Sequence, residues 1–240
     1  MRTGKYFLSA IFGLSAWALL VPVVGGAAPA PTGQGNRSLT ENALFSNMDG
    51  AARRVRSVSA QLAYTTVTVL VNDRSTQVGV LYYRKGHRPE VLIQFSGADG
   101  KEILFRRGTG EIYYPKMNQV QEYDLARHQN LLQQFLLLGF GTETSQLESS
   151  YELHYLGEKR LGNYMTALLE LAPLDKDVKA QLKKIDLWVS EENWMPIQQQ
   201  FFERSGDYLI ARYSNLKVNP RMSPSVFKIK APGAERLKMN

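Results

Sequence analysis

Turn signals recur at short intervals along the middle of this chain, and their spacing constrains the fold more than any other feature. Segments rich in β-branched and aromatic residues, which favour extended backbone, lie between these signals. This arrangement is typical of an antiparallel meander of short strands. The turn signals are Asn72-Asp73, Gly86-His87, Gly97–Gly100, Gly108–Gly110 and Pro115–Asn118.

The predicted strands fall into two sets. The first set is Ala60–Val71, Val78–Tyr83, Val91–Phe95, Glu102–Arg106, Glu111–Tyr114 and Val120–Leu125. The second set is Tyr151–Leu156, Tyr164–Leu171, Ile185–Val189, Ile197–Phe202 and Tyr208–Tyr213. Because strands and helices do not alternate along the chain, a parallel sheet is not expected.

Two helices are predicted beside these strands. Ser38-Leu39-Thr40-Glu41 fits a capping box, which starts a helix that should end near Ser57. The segment Ala126–Phe140 is too short to span a bilayer and too apolar for a surface helix, so we expect it to be largely buried. The pattern therefore predicts a mainly β protein with helices packed on one face of a curved sheet.

Several strands carry apolar side chains on both faces, which a sheet with one solvated face does not require. One explanation is a core on both sides, as in a sandwich. The other is a face that is lined for an apolar ligand beneath the helices. The sequence leaves both open at Leu81-Tyr82, Val91-Leu92, Ile103-Leu104 and Phe201-Phe202.

The N-terminus has the pattern of an export signal. Arg2 and Lys5 precede the uncharged apolar run Tyr6–Val24, and small residues follow it. The run is also long enough for an uncleaved anchor, but Pro22 and the small residues favour cleavage, which we place after Ala27. We thus expect a signal peptide at 1–27, a flexible lead-in at 28–37, one domain at 38–240, and a periplasmic protein.

The motifs and spacings that indicate catalysis are missing. The absence of cysteine excludes disulfides, thiolate metal sites and a cysteine nucleophile. His87, His128 and His154 lie in different predicted elements, without the spacing of a metal site. No motif of a serine hydrolase, P-loop or dinucleotide site occurs, and Glu191-Glu192 is interpreted as a solvated turn. Binding without catalysis, metal or cofactor is therefore expected.

The formal net charge of +7 comes from short basic groups such as Arg53-Arg54 and Lys183-Lys184. Their scatter favours a solvated surface, although a partner with phosphate head groups stays open. Export argues against a nucleic-acid partner.

The order of several segments resembles that of the outer-membrane lipoprotein carrier family (LolA-like periplasmic carriers). The resemblance covers nearly the whole chain after the signal peptide. Its segments are Ser57–Leu62, Gly79–Tyr83, Arg88-Pro89, Asp99–Glu102, Ile112–Lys116, Val120–Tyr123, Leu138–Gly141, Ile185–Val189, Met195-Pro196, Pro224–Lys228 and Ala231-Pro232.

This resemblance implies an incomplete antiparallel barrel, closed by a helical lid, around an apolar cavity for acyl chains. It implies no enzymatic activity, and its partners would be an inner-membrane ABC-type lipoprotein release complex and an outer-membrane receptor. Arg88 matches the arginine that latches the lid in the family, and we expect a monomer. The residues expected to form the cavity and lid are Leu62, Tyr64, Leu81, Tyr83, Leu92, Phe95, Phe105, Leu132, Phe135, Leu136, Leu138, Phe140 and Trp188.

Three other functions stay open beside that of a lipoprotein carrier. One is a periplasmic regulator that senses lipoproteins, and another is a carrier of a different long-chain lipid. The third is an enzyme whose site is assembled from scattered residues.

Overall fold

The computed structural model describes residues 39–124 and 140–239. The predicted signal peptide lies outside these residues, and so does the predicted helix Ala126–Phe140 except for its last residue, which lies in a bend. The helices are α1 (Glu41–Arg54), α2 (Thr144–Glu148) and α3 (Lys176–Lys179). The strands are β1 (Ser57–Thr68), β2 (Asp73–Arg84), β3 (Glu90–Phe95), β4 (Glu102–Arg106), β5 (Thr109–Tyr114), β6 (Gln119–Asp124), β7 (Tyr151–Leu161), β8 (Tyr164–Pro173), β9 (Leu182–Ser190), β10 (Pro196–Glu203), β11 (Tyr208–Val218) and β12 (Glu235–Met239).

All twelve strands belong to one curved, open sheet in the order β12-β6-β5-β4-β3-β2-β1-β11-β10-β9-β8-β7. The meanders β2–β6 and β7–β11 lie on either side of β1, which pairs with both β2 and β11. The prediction of a mainly β fold with an incomplete barrel is confirmed. One pair departs from the antiparallel pattern, because β12 runs parallel to β6.

Helix α1 begins later than the capping box predicted. Its N-cap is Thr40, whose Oγ1 accepts a hydrogen bond from Ala43 N at 3.3 Å. A threonine in extended conformation at this position satisfies an amide donor that the first helical turn leaves free. The predicted cap Ser38 lies outside the described residues. The face of α1 that packs on the sheet carries Leu44, Met48, Ala51 and Ala52.

The two faces of the sheet pack against different parts of the chain. The main core cluster lies on the face that α1 covers, which we call the helix-covered face, and it includes Val91 and Ile93 of β3. Leu92, between them, points to the opposite face and packs with Leu104 and Phe227. Phe227 belongs to the segment between β11 and β12. For β3 and β4 the apolar residues on both faces are therefore explained by two cores.

None of the helices among the described residues has the length and apolarity that crossing a bilayer requires.

Candidate functional site

The helix-covered face holds most of the predicted ligand-contacting residues that the structure describes. Phe95 packs at the edge of the main core cluster and meets the ring of Tyr64 edge-on, with the ring centroids 6.2 Å apart. The others lie inside the cluster, where each is less than a tenth exposed: Leu62, Tyr64, Leu81, Tyr83, Phe105 and Phe140.

Two predicted residues lie on the opposite face. Leu92 packs under Phe227, as described above. Trp188 lies between Leu187 and Val189 on β9, and both of these neighbours point into the main core cluster. Because successive strand residues point to opposite faces, Trp188 points away from that cluster. Leu132, Phe135, Leu136 and Leu138 lie outside the described residues.

The second meander contributes as much to this face as the first, whereas the sequence prediction took only Trp188 from it. Phe140 packs edge-on against Tyr213 of β11, with centroids 4.9 Å apart, and Tyr213 donates a hydrogen bond to Gln199 Oε1 at 3.1 Å. The alternation within the second set of strands was the available signal, since every second residue there is apolar. The residues concerned include Tyr151, Leu169, Leu171, Ile185, Leu187, Val189, Phe201, Leu209, Ala211 and Tyr213.

The buried tyrosines keep this face uncharged. Burial raises the pKa of Tyr83 to about 12 and raises the pKa of Tyr64, Tyr151 and Tyr213 further. Their hydroxyl groups therefore stay protonated at neutral pH, and the face offers rings and aliphatic side chains. Such a surface suits a hydrocarbon ligand better than an ionic one.

One cation stands beside this face. Lys101 is 6% exposed, and its Nζ lies 5.8 Å from the centroid of the Phe95 ring. Burial lowers the pKa of Lys101, because an ammonium group loses hydration there. Lys101 was not predicted, since a lysine next to a turn normally indicates a solvated position.

The C-terminal end of α1 is held by the chain on both sides of it. Lys85 Nζ, from the β2–β3 connection, donates a hydrogen bond to Ala52 O at 3.1 Å. Asp49 accepts hydrogen bonds from Thr144 N at 2.7 Å and from Thr144 Oγ1 at 2.9 Å, which ties α1 to the start of α2. Gly141 packs beside Val55 with a φ of +69°, a backbone conformation that favours glycine. The residues that follow 125–139 are thus firmly joined to α1.

Arg88 is exposed in the β2–β3 connection and forms no hydrogen bond with the residues that the structure describes. The helix that it was predicted to latch lies outside those residues, so the latch stays a prediction. Lys85, three residues earlier, is the side chain of this connection that contacts α1.

Replacing Lys85 with methionine is therefore expected to lower the free energy of unfolding by about 1 kcal/mol, the usual cost of one lost hydrogen bond. Arg88→Met, in the same connection, should change it by less than about 0.5 kcal/mol. Urea denaturation of both variants measures the difference. A larger loss for Arg88→Met than for Lys85→Met would show that Arg88 is the latch.

Within residues 39–124 and 140–239, no group of three or more His, Asp or Glu side chains could hold a metal ion. The site is thus defined by an apolar, helix-covered face on an open, curved sheet.

The fold and this face define a half-barrel protein with a buried apolar face beneath a helix. A family model described as "Uncharacterized protein" matches residues 107–229, just over half of the chain, and the chain belongs to that family. No curated protein matches the sequence.

Solved structures share the fold at low sequence identity. An uncharacterized conserved protein from Thermus thermophilus is 11% identical, with 82% of this chain and 98% of that chain covered and a TM-score of 0.54. A LolA superfamily protein from Nitrosomonas europaea is 15% identical, with coverages of 81% and 99% and a TM-score of 0.40. The MucA/MucB complex of Pseudomonas aeruginosa is 15% identical, with coverages of 78% and 60% and a TM-score of 0.47. At such identities the likeness concerns the fold alone.

Proposed function

We propose that this protein is a non-enzymatic periplasmic carrier, which binds the acyl chains of lipoproteins against its helix-covered face and moves them from the inner to the outer membrane. The observation that carries the proposal is the composition of that face. It is apolar across both meanders, it holds tyrosines that stay neutral, and α1 covers it. The export pattern and the order of the motifs support the same function.

The packing of the empty protein supplies a reason why such cargo could be released again. Complete burial of an acyl chain of ~16 methylenes would gain roughly 13 kcal/mol, which alone would make transfer very slow. In this protein Leu44 and Met48 of α1, together with Phe140, are buried in the core cluster of this face. Cargo must displace such contacts, so the net affinity is a difference between two burials, which keeps transfer reversible.

The remaining parts of the proposal follow from the resemblance. The donor would be an inner-membrane ABC-type release complex and the acceptor an outer-membrane receptor, and the carrier would act as a monomer after cleavage of residues 1–27. The predicted lid, with Leu132, Phe135, Leu136 and Leu138, would cover the face in the empty state.

The two tryptophans of the exported protein provide a matched test of where the acyl chain binds. Trp194 packs against the main core cluster on the helix-covered face, whereas Trp188 points to the opposite face. A brominated long-chain acyl lipid should therefore quench most of the Trp194 emission in the Trp188→Phe variant. The same lipid should leave the Trp188 emission of the Trp194→Phe variant unchanged, because quenching by bromine requires contact.

Equal quenching in the two variants, or none in either, would contradict an acyl site on the helix-covered face. Depletion of the protein in its host then separates the carrier from a regulator. Loss of a carrier leaves lipoproteins in the inner membrane, whereas loss of a regulator changes gene expression without changing the membrane in which lipoproteins are found.

A further inference from the structure

The turn between β1 and β2 presents three consecutive apolar side chains to solvent. Val69, Leu70 and Val71 are 53%, 93% and 68% exposed, and together they form a single turn of 3₁₀ helix. Single exposed apolar residues are common on soluble proteins, but a contiguous group usually marks a contact surface. The helix-covered face does not use this turn, which lies beyond the main core cluster.

Two hydrogen bonds fix the conformation of this turn. Asn72, with a φ of +50°, donates its backbone N–H to Val69 O at 3.1 Å and closes the turn. Val69 N donates to Asp207 Oδ1 at 2.9 Å, which ties the turn to the neighbouring β10–β11 connection. Two of its backbone amide groups are therefore satisfied within the protein, so less polar backbone would lose water when the turn enters an apolar medium.

The turn also projects beyond the strands beside it. β2 pairs with β3 only from Gly79 to Arg84, so residues 73–77 of β2 pair with β1 alone among the described strands. On its other side, β1 pairs with β11 only as far as Val67. The apolar tip thus lies at one end of the sheet beside the β10–β11 connection, and Leu70, which is 93% exposed, is open to a flat surface there.

We propose that this turn, Val69–Val71, inserts into the lipid surface of a membrane and holds the protein there reversibly. The proposal goes beyond the carrier function, because it concerns the membrane surface that the protein binds rather than the cargo that it carries. Three features favour lipid over a protein partner. The tip is convex, it is purely aliphatic, and it lacks the aromatic and arginine side chains that dominate protein interfaces.

The charges at the base of the tip define the kind of lipid surface. Asp73 and Arg74 follow the turn directly, and Asp207 accepts a hydrogen bond from Val69 N, so two anions and one cation stand at its base. Attraction to anionic lipid therefore adds little, and insertion depends on the apolar side chains. Binding should accordingly occur on zwitterionic vesicles and should change little with salt.

Flotation with protein-free phosphatidylcholine vesicles tests the proposal. The exported, cargo-free protein should float with the vesicles, and Leu70→Asp should lower the partition coefficient about tenfold or more, since it removes the burial of one leucine. Met165→Asp is the matched control, because Met165 is 44% exposed at the opposite end of the strands. This control should float like the wild type, and Leu70→Asp should bind acyl lipid as the wild type does.

A local fluorescence reading accompanies flotation. In a Trp188→Phe and Trp194→Phe background, Leu70→Trp emission should shift to the blue on adding vesicles and be quenched by brominated phospholipid, whereas Met165→Trp should not respond. Failure of the wild type to float, or equal flotation of wild type and Leu70→Asp, overturns the proposal. Leu70-dependent binding that appears only on vesicles containing membrane proteins also overturns it, because the turn would then dock on a protein.

Discussion

Replacing Phe140 with alanine is expected to lower the free energy of unfolding by about 3–5 kcal/mol. The Phe140 side chain is 1% exposed, so its loss leaves an apolar cavity in the main core cluster. It also removes the edge-on contact with Tyr213, whose ring centroid lies 4.9 Å away. Urea denaturation followed by circular dichroism measures the change, which should appear as a lower midpoint with an unchanged slope.

Phe202→Ala is the matched control for this prediction. Phe202 is only partly buried, and its ring lies tilted against that of Tyr208, with the centroids 6.1 Å apart. Its replacement should lower the free energy of unfolding by about 1–2 kcal/mol, less than that of Phe140.

A double-mutant cycle with Phe140→Leu and Tyr213→Leu should give a coupling energy of about 0.5–1.5 kcal/mol between the two rings. Equal losses for Phe140→Ala and Phe202→Ala would show that Phe140 is not part of the core.

The position of Phe140 connects the effect of its replacement with the proposed carrier function. It is the first described residue after 125–139, and Gly141 and Thr144 join the following chain to α1. In the proposed carrier this junction is the fixed end of the predicted lid. A Phe140→Ala protein that still folds should therefore retain acyl cargo less well than the Phe202→Ala protein.

The strands could be predicted because their limits are local. Asn72 and Asn118 lie at turn signals and have φ values of +50° and +46°, and Gly97 and Gly108 also adopt positive φ. Asparagine and glycine tolerate this conformation, so the residues that end a strand can be identified without knowledge of the fold. The succession of strands within each meander follows from the same turn residues.

The faces of the strands could not be predicted, because they depend on contacts between distant parts of the chain. Leu92 is apolar because Phe227 covers it, and nothing near Leu92 indicates that cover. Likewise β12 was not predicted, since its parallel pairing with β6 joins Glu235 to Gln119. Lys85 and Arg88 are both basic residues of the β2–β3 connection, so charge alone could not show which of them contacts α1. The path of that connection places Lys85 there.

The protein is expected to unfold cooperatively in alkali, at a pH above the ordinary pKa of tyrosine. Burial raises the pKa of Tyr83 to about 12, and it also raises the pKa of Tyr64, Tyr151 and Tyr213. In the unfolded chain these phenols ionise near pH 10. The stability that they contribute is thus complete below about pH 10, and it is lost as the pH rises through the folded-state pKa.

Tyr83, which is 4% exposed, gives the size of this loss in the free energy of unfolding. A pKa of about 12 in the folded protein against about 10 in the unfolded chain amounts to about 3 kcal/mol for this residue alone. The tyrosinate absorbance of these four buried tyrosines should therefore change together with circular dichroism, and Tyr83→Phe should move the midpoint to higher pH. Tyr82→Phe, on the opposite face of the same strand, should leave the midpoint where it is. Ionisation of these four tyrosines near pH 10 without loss of circular dichroism, seen as tyrosinate absorbance that their Tyr→Phe variants lack, would show that water reaches the helix-covered face, and an apolar acyl site there would then be excluded.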